Sequence, residues 1–382
     1  MNFTGEKMGE NINSKNPWYE INNPDEVNSP ALLIYPDRIE NNIRRMIEIA
    51  GDPAMLRPHV KTHKMPEIVR LQMKYGINKF KCATIAEAEM TAGCGAKEVL
   101  LAYQPVGPNI RRFLELKEKF PKTEISCIAD CEDMIKHLSG NSVKNGTETS
   151  VWLDINIGMN RTGIAPGESA VKLYKMIIDH PGLNAGGLHV YDGHIHDKEF
   201  LLRKKVCDES YMAVTSLISE INRSVNQPVA VVAGGTPTFP IHAARGGVET
   251  SPGTALLWDY GYSSSFSDMD FLHSAVLLTR IISKPSGDMI CIDLGHKAIA
   301  SEMPQPRIFL PEIDNYEIIS HNEEHMVIRT EEAKRLKIGD ILYGIPFHIC
   351  PTVDRYDDVS VVRNGMAVEK WKVEARKREI TV

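Results

Sequence analysis

The sequence contains no apolar stretch that approaches the ~20 residues needed to cross a membrane. Its first twenty residues are polar and lack the apolar core of a signal peptide. No basic run with interleaved aromatic residues occurs, and the net charge of −6 is small for 382 residues, so nothing indicates a nucleic-acid surface. These absences predict a soluble cytoplasmic protein whose partner is a small molecule, and neither a nucleic acid nor a membrane.

Cysteine is scarce and odd in number, with seven residues scattered along the chain. This pattern argues against a disulfide framework and predicts reduced thiols. The apolar fraction of 42% and the charged fraction of 25% are ordinary. The length is sufficient for one large domain and a smaller one.

Short apolar segments alternate with amphipathic segments from about residue 30 to about residue 259. The strand candidates are MLRPHVKTH, KFKCAT, EVLLAY, EISCIAD, SVWLDINIG, AGGLHVYD, VAVVAGGT and VETSPGTALL. Short, mostly apolar runs of this kind are typical of buried parallel strands. The pattern predicts an α/β fold, and the number of repeats favours a (β/α)8 TIM barrel, although a doubly wound sheet with an extra unit would give a similar pattern.

The character of the chain changes after residue 262. Short alternating runs such as SAVLLTRIIS, YEIISHNEEHMVIRT and VSVVRNGMAVEKWKVE follow, with turn residues between them. We therefore predict a barrel domain over residues 28–262. An antiparallel β domain is predicted over residues 263–382, joined by roughly residues 1–27.

Residues 57–64, RPHVKTHK, place a lysine between two histidines at a spacing of two. In a strand His59, Lys61 and His63 would project to one face. An amine beside two imidazoles is the combination that Schiff-base chemistry with a carbonyl cofactor needs. The alternative is a basic strand end without a chemical role.

A glycine-rich turn, GGTPT at residues 234–238, follows a hydrophobic strand. Such a turn can hold a phosphate with its amides and hydroxyls, and barrels often bind phosphate near the seventh and eighth strands. By itself such a segment is more often a simple turn. Together with a reactive lysine it predicts pyridoxal 5'-phosphate as the cofactor.

A second candidate site is the pair His348 and Cys350 in the C-terminal region. On an extended segment the two side chains would point the same way and offer an imidazole nitrogen and a thiolate, which suit Zn²⁺. Two protein ligands leave positions for water or substrate, as in catalytic metal sites. The alternative is a buried cysteine beside a hydrogen-bonded histidine.

Six segments together resemble the D-threonine aldolase and D-serine dehydratase family. They are RPHVKTHK, ATIAEAEMTAG, LLAYQPVG, LDINIGMNRTGI, GGLHVYDGH and HICPTVD. Members of this family are fold-type III pyridoxal phosphate enzymes related to alanine racemase. The resemblance extends from about residue 30 to the end of the chain. It implies an alanine racemase-like barrel followed by a β domain, paired as a homodimer.

The resemblance also implies roles for individual residues. Lys61 matches the lysine that binds the cofactor aldehyde, whereas Lys64 falls on the other face. Arg161 resembles the arginine near the phenolic oxygen of the cofactor, and Tyr191 resembles an aromatic residue of the pocket. The remaining matches are Gly235 and Thr236 for the phosphate and His348 and Cys350 for the metal. His59 and His63 are candidate bases because they flank Lys61.

The metal pair departs from the bacterial D-threonine aldolases, in which an aspartate accompanies the histidine. Cys350 instead resembles the ligand of the zinc-dependent D-serine dehydratases. We predict a metal-dependent lyase for D-β-hydroxy-amino acids, with zinc favoured and manganese as the alternative. Retro-aldol cleavage of D-threonine is the first candidate reaction, and dehydration of D-serine or D-threo-3-hydroxyaspartate is the second. A racemase or a pyridoxal phosphate carrier protein is a further alternative.

Overall fold

A computed structural model of the protein describes residues 17–226 and 228–382. The strands are β1 Ala31–Ile34, β2 Lys79–Cys82, β3 Glu98–Leu101, β4 Glu124–Ala129, β5 Thr149–Ile155, β6 Leu183–Val190, β7 Val231–Ala233, β8 Val248–Thr250, β9 Ala275–Ser286, β10 Met289–Ile292, β11 Ile308–Phe309, β12 Glu317–His321, β13 Met326–Arg329, β14 Ile341–Pro346, β15 Asp358–Arg363 and β16 Met366–Lys372. The helices are α1 Pro36–Ala50, α2 Pro66–Lys74, α3 Ile85–Gly93, α4 Pro108–Lys119, α5 Glu132–Lys144, α6 Glu168–Asp179, α7 Phe200–Val225, α8 Phe239–Ala243, α9 Tyr260–Ser263 and α10 Ile349–Val353.

The described residues form two compact units. The barrel unit comprises Ile43–Ala255, apart from residue 227, and Glu374–Val382. The β unit comprises residues 17–42 and Leu256–Val373. The β unit includes β1, because β1 pairs with β9 and β15 of that unit.

The barrel unit contains a seven-stranded parallel sheet in the order β2 to β8. The first predicted strand is present as two bridges: Leu56 pairs with Thr250 at the end of β8, and His59 pairs with Lys81 of β2. The amide of Arg57 donates to the carbonyl of Thr250 at 2.8 Å. The segment therefore joins the two edges of the sheet, and the predicted alanine racemase-like α/β fold is confirmed.

Buried strands explain why the sequence shows continuous apolar runs here. Every residue of β5 is buried, as expected for a parallel strand covered on both faces. Leu100, Ile128, Trp152 and Val232 come from four different strands and form one apolar cluster. This cluster supports the ends of the strands, where the polar residues lie.

Arg57 connects opposite parts of this sheet from a buried position. Its side chain is 2% exposed, and its nitrogens lie 2.6 Å from Glu98 Oε2 and 2.7 Å from Glu249 Oε2. Lys79 pairs with the same Glu249. One guanidinium thus balances carboxylates from β3 and β8 beside the bridging segment.

We expect Arg57→Met to lower the free energy of unfolding by about 1.5–3 kcal/mol, because it removes two charge-assisted hydrogen bonds and leaves Glu98 without its cation and Glu249 with Lys79 alone. Urea unfolding of the two proteins measures the difference. Arg45→Met is the matched control, since Arg45 pairs with Glu48 on the exposed surface of α1 and such pairs contribute at most about 1 kcal/mol. Equal effects of the two substitutions would contradict the structural role of Arg57.

The β unit is built on a mixed sheet with the order β12-β13-β10-β9-β1-β15-β16, to which β14 is added through β9. The predicted antiparallel pairing holds except between β1 and β15, which run parallel. Tyr19, Leu33, Val276 and Tyr343 belong to the apolar core of this unit. Within residues 17–226 and 228–382, no helix has both the length and the apolar character needed to cross a membrane.

Candidate active site

A cavity of about 470 Å³ opens at the C-terminal ends of the parallel strands. This is the edge at which a barrel collects its functional side chains. The polar residues on its wall include His59, Lys61, Lys81, Asp154, Arg161 and His189. Four residues predicted from the sequence, His59, Lys61, Arg161 and Tyr191, therefore line the same cavity.

The two lysines of the motif occupy different environments. Lys61 lines the cavity, with Nζ 5.8 Å from the centre of the Tyr191 ring. Lys64 has a φ of 54° and directs Nζ to Glu87 Oε1 at 3.0 Å. Glu87 is buried and also accepts from the amide of Ala83 at 2.6 Å. Lys61 therefore offers its amine to a ligand, while Lys64 connects structural segments.

The strand geometry predicted for residues 59–63 is wrong after His59. Residues Val60–Thr62 form a 3-10 helix, which rotates His63 away from the face of its neighbours. His63 is fully buried, and its Nδ1 accepts from the amide of Met65 at 3.1 Å. The wall of the cavity is formed by His59 and Lys61, without His63.

Both histidines of the motif are neutral, so each ring keeps one N–H group that can donate a hydrogen bond. Burial and the charges of Lys61 and Lys81 hold the pKa of His59 well below its usual value. Burial lowers the pKa of His63 to about 3. The Nδ1 of His59 accepts from the amide of Lys61 at 3.3 Å, so the remaining proton is on Nε2.

Cationic side chains surround the Tyr191 ring. Arg161 Cζ lies 4.8 Å and Lys81 Nζ lies 5.6 Å from the ring centre. A Cβ atom on Gly235 would approach Tyr191 Cε2 to 3.3 Å, so the glycine turn begins beside this ring. The ring and the basic side chains of Lys61, Lys81 and Arg161 give the cavity a surface suited to a planar anionic ligand.

Lys81 was not predicted as a site residue, although it is 2% exposed and lines the cavity. Burial and the charge of Lys61 lower its pKa to about 7, and Asp192 and Asp154 act in the opposite direction. A buried amine that titrates near neutral pH is typical of functional sites. The available signal was a lysine inside the otherwise apolar strand β2.

Asp154 and His189 form a buried pair on neighbouring strands that the sequence did not reveal. His189 Nδ1 donates to Asp154 Oδ1 at 2.7 Å, and Nε2 makes no hydrogen bond within the described parts of the chain. Burial lowers the pKa of His189 despite the opposing carboxylate. The neutral ring therefore has an unshared electron pair on Nε2 at the cavity wall.

The glycine turn contributes a hydroxyl rather than a set of free amides. The amides of Gly253 and Thr254 donate to Thr236 Oγ1 at 3.0 and 3.2 Å. The amide of Gly235 donates to Thr238 Oγ1 at 3.2 Å. A Cβ on Gly253 would lie 3.2 Å from the carbonyl oxygen of His59, which places this group of donors beside the lysine motif.

These residues fit pyridoxal phosphate. Lys61 supplies an amine on the wall of a cavity of suitable size. After the seventh and eighth strands, the amides of Gly253 and Thr254 orient Thr236 Oγ1, whose own hydroxyl proton is left to donate to a phosphate. Sequence reasoning missed Gly253 and Thr254, because their backbone amides have no side-chain signature.

The predicted metal pair lies in the β unit, but not on an extended segment. His348 precedes α10, and Cys350 lies within its first turn. Their side chains nevertheless interact. Burial alone would lower the pKa of His348, but the hydrogen bond and charge of Cys350, together with Asp259 and Glu302, raise this pKa to about 9. Glu302 Oε1 lies 2.5 Å from His348 Nδ1.

This arrangement fits a divalent metal ion. A carboxylate on Nδ1 fixes the ring and leaves Nε2 for an ion. Thiolate and imidazole donors together suit Zn²⁺. Asp259 accepts from the amide of Ile349 at 3.0 Å, which holds the segment between the two donors in place.

Comparison with known proteins gives a consistent result. The chain is 29% identical to a D-threonine aldolase from Arthrobacter sp. over 92% of this chain and 93% of that protein. It is 28% identical to a 3-hydroxy-D-aspartate aldolase from Paracoccus denitrificans, over 98% and 97% of the two chains. The crystal structure of D-threonine aldolase from Filomicrobium marinum is 27% identical and superposes with a TM-score of 0.84, covering 94% of this chain and 98% of that chain.

Two domain families match the sequence. The serine dehydratase domain matches residues 274–362, and the alanine racemase N-terminal domain matches residues 34–262, which is more than half of the chain. The family resemblance seen in the sequence motifs is thereby confirmed. The chain belongs to the alanine racemase N-terminal domain family.

Proposed function

We propose that the protein is a pyridoxal phosphate- and metal-dependent lyase that acts on D-β-hydroxy-amino acids. The first candidate reaction is the retro-aldol cleavage of D-threonine to glycine and acetaldehyde. The observation that carries this proposal is the position of the Lys61 amine on the cavity wall, together with Arg161 and Tyr191.

Each part of the cavity would hold one part of the cofactor. Lys61 would bind its aldehyde, Arg161 would keep its phenolic oxygen anionic, and the Tyr191 ring would position its plane. The phosphate would accept a hydrogen bond from the hydroxyl of Thr236, which the amides of Gly253 and Thr254 hold in orientation. When bound, pyridoxal phosphate supplies an electron sink for negative charge that develops at Cα.

The histidines divide the handling of protons between them. His59 presents an N–H donor toward the cavity, because its other nitrogen accepts from the backbone. His189 presents an acceptor nitrogen, fixed in orientation by Asp154. We propose His59 as a hydrogen-bond donor to the bound substrate and His189 as a proton acceptor of the cavity. The side chain of His63 does not line the cavity. Its role as a base stays a prediction that this cavity does not support.

The pair His348 and Cys350 would hold the metal ion. A thiolate ligand favours Zn²⁺ over Mn²⁺, which prefers oxygen donors. When bound, a divalent ion supplies Lewis acidity toward a hydroxyl or carboxylate oxygen. Glu302 would keep the His348 ring in orientation from Nδ1.

Two observations favour different reactions. The aldolases named above are 28% and 29% identical to this chain, whereas D-threo-3-hydroxyaspartate dehydratase from Delftia and D-serine dehydratase from Dictyostelium discoideum are 20% and 24% identical. This difference favours the aldolase. The thiolate of Cys350 favours the second candidate, a dehydratase that releases a 2-oxo acid and ammonia.

The products distinguish these reactions. The holoenzyme is incubated with D-threonine, D-serine and D-3-hydroxyaspartate in parallel. We expect glycine and an aldehyde, measured by chromatography and by reduction with alcohol dehydrogenase. A 2-oxo acid and ammonia would contradict the aldolase and support the dehydratase. Formation of the L-enantiomer alone would indicate a racemase.

Metal removal tests the second part of the proposal. We expect a chelator to abolish lyase activity and added Zn²⁺ to restore it, while the visible absorption of the bound cofactor remains. The same loss is expected for His348→Ala and Cys350→Ala. Full lyase activity after the metal content has fallen to zero would contradict the metal requirement. Racemisation or cofactor binding that persists without metal, with no lyase activity at any metal content, would leave the racemase or a carrier protein as the alternative.

The remaining assignments are proposals that rest on the family resemblance. We assign cofactor binding to residues 28–262 and the metal motif to residues 263–382. A homodimer is proposed on the same basis, and the cytoplasmic location stays a prediction from the sequence.

A further inference from the structure

Three buried side chains behind the glycine turn form a connected cluster, Asp192, Cys207 and His242. Each is at most 1% exposed. Asp192 Oδ2 lies 2.8 Å from His242 Nε2, and Cys207 Sγ lies 3.5 Å from the same nitrogen. None of the three lines the cavity.

The cluster is connected to the glycine turn by a directed series of hydrogen bonds. The amide of Gly235 donates to Thr238 Oγ1 at 3.2 Å, and this hydroxyl donates to Asp192 Oδ1 at 2.8 Å. The second carboxylate oxygen accepts from His242 Nε2. Asp192 therefore receives one hydrogen bond from the turn and another from α8.

The protonation of His242 is consistent with this series. Burial would lower the pKa of His242, but the hydrogen bonds with Asp192 and Cys207 raise it to about 9. Nε2 thus keeps the proton that Asp192 accepts, whether or not Nδ1 is also protonated. Asp192 has a fixed donor on each oxygen.

Close packing ties the turn to the same cluster. Gly234 has a φ of 79°, and a Cβ atom there would lie 2.8 Å from His242 Cδ2 and 2.9 Å from Thr238 Oγ1. A larger residue at this position would displace the turn from the histidine. The close packing of His242 and Thr238 against Gly234 therefore restricts the conformation of residues 234–236.

The same three side chains have donor atoms suited to a metal ion, since they lie within 4.8 Å of one another. Arg245 argues against an ion at this position. Its guanidinium lies 3.5 Å from Cys207 Sγ and 3.3 Å from His242 Nδ1, and a fixed cation repels a second cation at such distances. The hydrogen bonds already satisfy both oxygens of Asp192.

We propose that Asp192 and Thr238 are positioning residues that hold the glycine turn in the conformation needed to bind the phosphate of the cofactor. Asp192 fixes Thr238, and Thr238 fixes Gly235. The next residue, Thr236, is thereby kept in place beside the amides of Gly253 and Thr254. This inference rests on the proposed function, since it requires a phosphorylated cofactor.

A comparison of two cofactor forms tests this inference. The full-length apoprotein is titrated with pyridoxal phosphate and with pyridoxal, which lacks the phosphate, and binding is followed by visible absorption. We expect Thr238→Val and Asp192→Asn each to weaken pyridoxal phosphate binding by about 10-fold or more, as for loss of a buried hydrogen bond. Binding of pyridoxal should stay within about twofold.

Thr238→Ser is the matched control, because it keeps the hydroxyl and should keep the preference for the phosphorylated form. A general loss of structure would weaken both ligands equally, and that result would overturn the positioning role. An unchanged preference in Thr238→Val would overturn it as well. So would a tightly bound metal ion that is lost in Cys207→Ser.

The wild-type protein separates this inference from the proposed function. If the wild-type protein binds pyridoxal as tightly as pyridoxal phosphate, the proposed cofactor itself is wrong, and the inference fails with it. If the wild-type protein prefers the phosphorylated form but the variants keep that preference, only the positioning role fails.

Discussion

Replacement of Lys61 by alanine is expected to abolish the visible absorption of the bound cofactor and to lower lyase activity by at least about 10³-fold. Lys61 contributes an amine to the wall of the cavity, where Arg161 and the hydroxyl of Thr236 would hold the rest of the cofactor. Without the amine no covalent attachment forms, and the remaining contacts provide reversible binding alone. Absorption spectra and the product assay measure the two losses.

Two other lysines serve as controls for this result. Lys64→Met should keep the absorption band, because Lys64 is paired with the buried Glu87. Lys81 lines the same cavity, so it is the residue that could replace Lys61 as the attachment site. Reduction of the holoenzyme with borohydride followed by peptide mapping identifies the attached lysine directly. A cofactor found on Lys81 would contradict the assignment of Lys61.

The sequence predicted the parts of this site that depend on a single strand or motif. Arg161 and Tyr191 follow β5 and β6, and the carboxyl ends of parallel strands meet at one edge of a sheet. The strand pattern therefore predicts that these polar residues lie together with Lys61, and they do. The family motifs supplied their chemical roles.

Other parts depend on local turns that periodicity does not describe. His63 was predicted on the face of Lys61, but the 3-10 helix Val60–Thr62 changes the repeat from two to three residues. His348 and Cys350 interact because a helix begins between them, not because the segment is extended. In each case the spacing alone left more than one backbone conformation open.

Contacts between strands could not be predicted from the sequence either. Asp154 and His189 meet because β5 and β6 pair in a register that aligns these two residues. The donors on Gly253 and Thr254 are backbone amides. Nothing in a single sequence distinguishes them from the amides of other turns.

Lys81→Met is expected to make the protein more stable at pH 6, although it removes a polar residue from the candidate site. The pKa of Lys81 is about 7 in the folded protein, compared with 10.5 for an unperturbed lysine such as that of the unfolded chain. Below pH 7 both the folded and the unfolded chain have a protonated amine, so the folded state bears the whole cost of burying the charge. A shift of this size corresponds to at most roughly 5 kcal/mol, and about 2–5 kcal/mol is expected in practice.

The sign of the pH dependence follows from proton binding. Between pH 7 and 10.5 the unfolded chain binds more protons at this residue than the folded protein does, so wild-type stability rises with pH across this window. The advantage of Lys81→Met should therefore decrease from pH 6 to pH 10. Urea unfolding at pH 6, 8 and 10 measures it.

Lys122→Met is the control, because Lys122 is exposed and its replacement should give a small difference without this trend. A Lys81→Met protein that is less stable than the wild type at pH 6 would contradict the burial of an uncompensated charge. A protein keeps a destabilising buried amine where the amine serves a ligand. We therefore expect the same substitution to weaken binding of pyridoxal phosphate while it raises stability, and a gain in stability without any loss of binding would remove Lys81 from the site.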